Sequence, residues 1–230
     1  MAQNGAAFSR GMLLTSSSWP CQNPQRLRHP QTRKVVTVNY GDRREEVIPL
    51  KVILIGLDHR TQWEDRTGDL RALLARIVGE CGVELIAEEA YKLPTTIGFR
   101  LACRTNIPWI DIDMTDAETQ EAGIREELTG RPHGPLLKGD GKMVDTVGYL
   151  PHADALREEH WTKKVIQYRV SSSLSLCGLL HLGPFAAKLR SRGCTVNELN
   201  VCDQDWYKQA FGTCQVVEEN GRRWCEFPVK

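Results

Sequence analysis

Charge of one sign is what this chain lacks first. Its 230 residues carry 30 Lys and Arg against 29 Asp and Glu, a formal charge of +1. Such balance excludes a chain built mainly to neutralise nucleic-acid phosphates or an anionic membrane surface. Long hydrophobic runs are missing too. No segment approaches the roughly 18–20 apolar residues of a spanning helix. The longest apolar stretch of the N-terminal region, Met12-Leu13-Leu14, falls short of the core of a secretory signal. The eight cysteines contain no C-x-x-C, which removes zinc ribbons and thioredoxin-type sites. No G-x-S-x-G elbow occurs, and Gly139-Asp140-Gly141-Lys142 has neither the spacing nor the following Ser or Thr of a P-loop. No repeat of 20–50 residues is evident.

What is present divides unevenly. Residues 1–46 hold seven basic and three acidic residues, a net of 7 − 3 = +4, which leaves +1 − 4 = −3 for the rest. The first 34 residues are rich in Ser, Gln, Arg and Pro, too polar to offset the entropy of ordering them. We therefore expect 1–46 to be a disordered leader, or an artefact upstream of a natural start near Val47. A short hairpin of Val35–Tyr40 with Val47–Leu50 is the alternative for its end. An α/β domain over 47–204 and a C-terminal tail over 205–230 complete the expected organisation.

Within the body, Val52-Ile53-Leu54-Ile55 reads as a strand buried on both faces, as in a parallel sheet. Leu70, Leu73, Leu74, Ile77 and Val78 recur at helical spacing, closed by Cys81-Gly82. Val83–Ala87 and Ile107–Ile112 are further strands, with a helix over Thr95–Arg104 between them. Thr115 and Glu118 offer cap chemistry to a helix over 116–128. The Gly/Pro-rich stretch 129–149 reads as a long loop. A helix over 152–168, a strand at Ser173–Cys177, a helix over Leu182–Ser191 and a strand at Cys194–Leu199 follow. This alternation predicts a single α/β domain, with a mostly parallel central sheet and helices on both faces. In the tail, Asn220-Gly221 predicts a hairpin that sets Val217 opposite Trp224.

Ligands of open α/β sheets sit beyond the carboxyl ends of the strands, so the residues following each strand carry the functional argument. They are Asp58-His59, Glu88-Glu89, Asp111 with Asp113, and Gly178-Leu179-Leu180-His181. Imidazole and carboxylate are metal ligands and general bases. The catalytic candidates are His59, Glu88, Arg157 and His181, and the metal-ligand candidates His59, His181, Glu88 and Asp113. Of the adjacent pair, Glu88 is chosen over Glu89 because it directly continues the buried run. Arg157, on one helix face with Trp161 and Val165, would reach the rim to meet a carboxylate or a substrate anion. Each has a structural alternative: a hydrogen-bonded loop histidine, a helix cap, a surface pair. His29, His133, His152 and His160 rank below these four.

The order Ile55-Gly56-Leu57-Asp58-His59, Leu85-Ile86-Ala87-Glu88-Glu89, an Arg-bearing helix, and Cys177-Gly178-Leu179-Leu180-His181 before Leu189–Gly193 resembles the TraB/PrgY–Tiki–erythromycin esterase–ChaN group. The resemblance covers about 51–200 and is nearest to small bacterial members. It implies paired G-x-x-H motifs, a Glu after a strand and an Arg between them, with His59, Glu88 and His181 at the site and Arg157 in support. The group's branches include a metal-dependent peptidase, an esterase and a haem-binding lipoprotein. The chain departs from them in having a short insert and no membrane anchor or lipoprotein signal. The first expectation is thus a hydrolase of an ester or amide, acting on a small molecule or peptide. Water would be activated by His59 as base, or by a divalent metal such as Zn or Mn bound by His59 and His181, with Glu88 positioning or deprotonating it and Arg157 stabilising the oxyanion. The alternative is a non-catalytic module that binds haem, a metal or a peptide at the same rim. Neither reading involves nucleic acid or a membrane, and the cysteine spacing favours a reducing, cytoplasmic setting.

Overall fold

The β-branched and apolar run after Leu50 forms β1 (Lys51–Leu57), in which every residue after Lys51 is buried. The computed structural model describes residues 49–230 apart from 64, 66, 91–94, 130–134, 138–141, 146–148, 220–221 and 229–230. The expected hairpin at Val35–Tyr40, the Asn220-Gly221 turn, His29 and His133 lie outside the described residues. After β1 come α1 (His59–Trp63), α2 (Asp69–Cys81), β2 (Leu85–Glu88), α3 (Ile97–Thr105) and β3 (Trp109–Asp111). Next are α4 (Asp116–Glu121), α5 (Arg125–Thr129), β4 (Pro135–Leu137), β5 (Lys142–Asp145), α6 (Pro151–Gln167) and β6 (Ser172–Gly178). The chain closes with α7 (Leu182–Ser191), β7 (Thr195–Asn200), α8 (Asp205–Phe211), β8 (Gln215–Glu219) and β9 (Arg222–Pro228).

The larger sheet has five strands in the order β3-β2-β6-β1-β7, and all its pairs are parallel. Because side chains alternate across a strand, each strand feeds both faces. Ile53, Ile55, Leu57, Ile86, Leu174 and Leu176 pack against Leu70 and Leu74 of α2, Ile97 and Leu101 of α3, and Tyr207 of α8. Val52, Leu54, Leu85, Ala87 and Cys177 point the other way, onto Trp161 and Val165 of α6 and Phe185, Ala186 and Leu189 of α7. Burying each such Leu, Ile or Phe contributes about 1.5–3 kcal/mol. Both faces are therefore closed by helices, as the uninterrupted apolar strands imply. Among the described residues no helix is long and apolar enough to cross a membrane.

Two local expectations are corrected. The single helix over 116–128 is broken into α4 and α5. Thr115 and Glu118 form the expected capping box at the start of α4, but Gly123 adopts φ 70°. That left-handed residue ends the helix, while Ile124 beside it is fully buried. The stretch 129–149 is not merely a loop. It supplies β4 and β5 to a second, antiparallel sheet of order β4-β5-β9-β8. Strands of three and four residues show too little alternation to be read locally. The partner that completes them, β9, arrives only at the C-terminal end. The hairpin of β8 and β9 has the expected register, with Val217 opposite Trp224. The segment after 204 also places Tyr207 and Cys225 in the apolar cluster of the main sheet.

Candidate functional site

Since β3, β2, β6 and β1 are neighbours, their carboxyl ends share one rim, with Glu88 level with Asp111 and Leu176, and Leu57 level with Gly178. His59 opens α1 directly beyond β1. His181 closes the single 3-10 turn Leu179–His181 that follows β6. The last residue of β6 brings the two together. A Cβ added to Gly178 would lie 2.8 Å from Nε2 of His59 and 3.4 Å from Oε2 of Glu89, so only a bare backbone admits that ring here. The Gly178 N–H also donates to Glu89 Oε2 at 2.8 Å.

Glu89 is the carboxylate at the centre. It is fully buried, and its Oε1 accepts from Arg157 Nη2 at 2.6 Å. Burial pushes its pKa up. The charges of Arg157, His181 and His59 and the Gly178 N–H outweigh that effect and hold it well below the usual 4.5. Glu89 is thus an anion at neutral pH, against which positive charge on either imidazole is favourable.

Glu88 and Glu89 are placed against different partners. Glu88 does continue the buried run, but strand parity turns it to the opposite face, onto the first turn of α3. There it accepts from Thr96 Oγ1 at 2.5 Å, Trp109 Nε1 at 3.0 Å, the N–H groups of Gly98 and Phe99 at 3.2 and 3.1 Å, and Gln62 Nε2 at 3.2 Å. Burial raises its pKa despite the bonds from Thr96, Trp109, Gly98 and Gln62.

Arg157 is brought to the rim, and there it is saturated by carboxylates. It is 2% exposed. Besides Glu89, it donates to Asp113 Oδ1 from Nη2 at 2.9 Å and from Nε at 3.2 Å, and to Asp154 Oδ1 from Nη1 at 3.1 Å. Its guanidinium lies 4.8 Å from the Trp161 ring centroid. The expectation that it stabilises a substrate oxyanion does not fit this geometry. It organises three acidic side chains instead. Asp113 is correspondingly committed to Arg157 and to the N–H of Met114.

His181 is 5% exposed, and its Nδ1 lies 3.0 Å from Glu158 Oε1. The ring stands edge-on to Trp161, with centroids 4.9 Å apart, and tilted against Tyr149. Tyr149 donates to Glu158 Oε2 at 3.4 Å. Burial, then the charges of Glu158 and Asp154, raise its pKa and keep the phenol protonated. Sequence reasoning missed Asp154, Glu158 and Tyr149. The signal for the first two was available: Asp154, Arg157, Glu158, Trp161 and Val165 form one i, i+3, i+4 stripe of α6, so charged residues share its apolar face. His152 is exposed, and His160 sits 3.6 Å from Glu118.

The expected metal set is not assembled. Glu88 faces the other side of the sheet, Asp113 is paired to Arg157, and among the described residues no group of three or more His, Cys, Asp or Glu side chains is placed to hold a metal ion. Three protein ligands are the usual minimum of a catalytic zinc centre, so the described donors do not fit one.

No family model, curated protein or solved structure matches the chain. The likeness to the TraB/PrgY–Tiki–erythromycin esterase–ChaN group therefore rests on its motifs alone.

Proposed function

We propose that the chain hydrolyses an ester or amide, with His59 as general base. What supports the reading is the buried anion of Glu89 within electrostatic reach of both His59 and His181. Each imidazole has its Nδ1 against a fixed acceptor: Gln62 Oε1 for His59 and Glu158 Oε1 for His181. A histidine held through Nδ1 presents Nε2 to the reacting atoms. His59 Nε2 takes a proton from water, and Glu89 stabilises the imidazolium formed. The hydroxide adds to the acyl carbon, and the tetrahedral intermediate expels the alcohol or amine. His59 gives that leaving group the proton it took from water and returns to the neutral form, while His181, oriented by Glu158, hydrogen-bonds the departing atom. One water is consumed, and acid and alcohol or amine are released.

The test is a panel of ester and peptide substrates with the parent chain, His59→Ala and His181→Ala. Each variant is expected to lose on the order of 10²-fold or more in rate. Undiminished turnover in both refutes the assignment. No turnover, together with a Soret band on haem titration, would mark a binding module instead.

A further inference from the structure

Gln62 belongs to none of the motifs, yet it is 1% exposed and touches His59, Glu88 and Glu89 at once. The geometry points to Gln62 as a positioning residue that fixes which nitrogen of His59 carries the proton. It sits on α1 three residues after His59, hence on the same side of that short helix. Its side-chain amide offers a donor end and an acceptor end, and the surroundings decide which points where. Nε2 faces the main-chain carbonyl of Glu89, which can only accept, and lies 3.2 Å from Oε1 of Glu88. A flipped amide would set oxygen against both. Oε1 is thereby left facing His59 Nδ1 at 3.2 Å. An amide oxygen only accepts, so Nδ1 must be the nitrogen that bears hydrogen. Neutral His59 then carries its lone pair on Nε2, the atom that lies over Gly178 beside Glu89.

The same chain of bonds gives Glu88 a part. Held by Thr96, Trp109 and two N–H groups of α3, it is a fixed anchor for the Gln62 amide. It reaches His59 only through Gln62, so it too is a positioning residue and not a base. This deepens the hydrolytic reading, on which any effect on rate rests. The tautomer itself does not depend on that reading.

The experiment is two-bond 1H–15N correlation NMR of the full-length, 15N-labelled chain at the alkaline end of the His59 titration, with His59→Gln to assign the signals. The parent is expected in the Nδ1–H form. Gln62→Met, which keeps the volume and removes the acceptor, is expected to lose the dominance of that form. A parent in the Nε2–H form overturns the inference without reference to any variant, so an unfolded Gln62→Met does not protect it. A folded Gln62→Met that stays in the Nδ1–H form overturns the role of Gln62. An Nδ1–H parent that turns over no substrate supports the inference while the hydrolytic reading fails. An Nε2–H parent with His59-dependent turnover does the reverse.

Discussion

At the scale of single residues, Arg157 shows how little freedom a buried charge has. Glu89, Asp113 and Asp154 all depend on it, and it is itself almost wholly enclosed. Replacing it with Met keeps most of the volume over Trp161 but leaves three carboxylates without their cation. Arg157→Met is expected to destabilise the fold by about 3–5 kcal/mol, as the loss of one partner from a buried pair does, measured by urea unfolding at neutral pH. The effect should shrink in acid, where Glu89 takes up a proton. Glu89 sets the sign there. Its folded pKa is below its ordinary value of 4.5, so its contribution is full above that value and is lost as pH falls towards the folded pKa. Glu88 acts oppositely. Its folded pKa is raised, so its favourable contribution is full below the ordinary value and lost as pH rises above it. Glu89 therefore contributes to the acid limb of a stability–pH curve below 4.5, and Glu89→Gln is expected to make it shallower. An unchanged acid limb in that variant would contradict the charge assignment.

At the scale of elements, the end of β6 is where sequence and geometry meet. Gly178 has φ −58° and ψ 144°, a conformation any residue adopts, so Gly178→Ala tests the space and not the backbone. The added methyl would meet the His59 ring, at Nε2 and at Cε1 3.1 Å away. It is expected to leave the far-ultraviolet circular dichroism unchanged while displacing His59. Displacements of about 1 Å cost on the order of 10² in rate, and kinetics on the substrate panel measures this. The strands and long helices were legible because their apolar residues repeat with the period of the element, over enough turns to count. The rim was legible for the same reason: once the strands are placed, the residues that follow them are placed. The choice between Glu88 and Glu89 was not. It depends on which of two adjacent residues still obeys the pleat, and on where Arg157 comes down from α6. Gln62 was invisible because its importance is a matter of two acceptors converging on one amide, drawn from residues distant in sequence. β4 and β5 were hidden by their shortness and by a partner from the other end of the body.

At the scale of the whole molecule, the cysteines mark how the parts are joined. Cys202, at the 3-10 turn after β7, and Cys225 of β9 are buried in one apolar cluster, with Cys214 packed against it. Their packing joins the main sheet to the antiparallel one without any disulfide among the described cysteines. Burial, with Glu89 and Glu158 nearby, pushes the Cys177 thiol up. The neighbouring Cys214 thiol and burial do the same for Cys202. Both are expected to resist alkylation in the native protein and to react on unfolding, as mass spectrometry after a timed iodoacetamide pulse would record. Early labelling of Cys177 would show that the α6 face opens. The position of β6 carries a last consequence. It begins at Ser172, while the strands on either side of it end at Leu57 and Glu88. As the chain leaves a ribosome, β1 and β2 emerge long before the strand that must lie between them. They are held apart from their final neighbour through the whole synthesis of α3 to α6. The main sheet therefore cannot zip outward from its N-terminal end. Its closure waits on one late segment, a non-local pairing of the kind that slows folding, and until that segment arrives the nascent chain exposes two apolar strands to any chaperone that binds them.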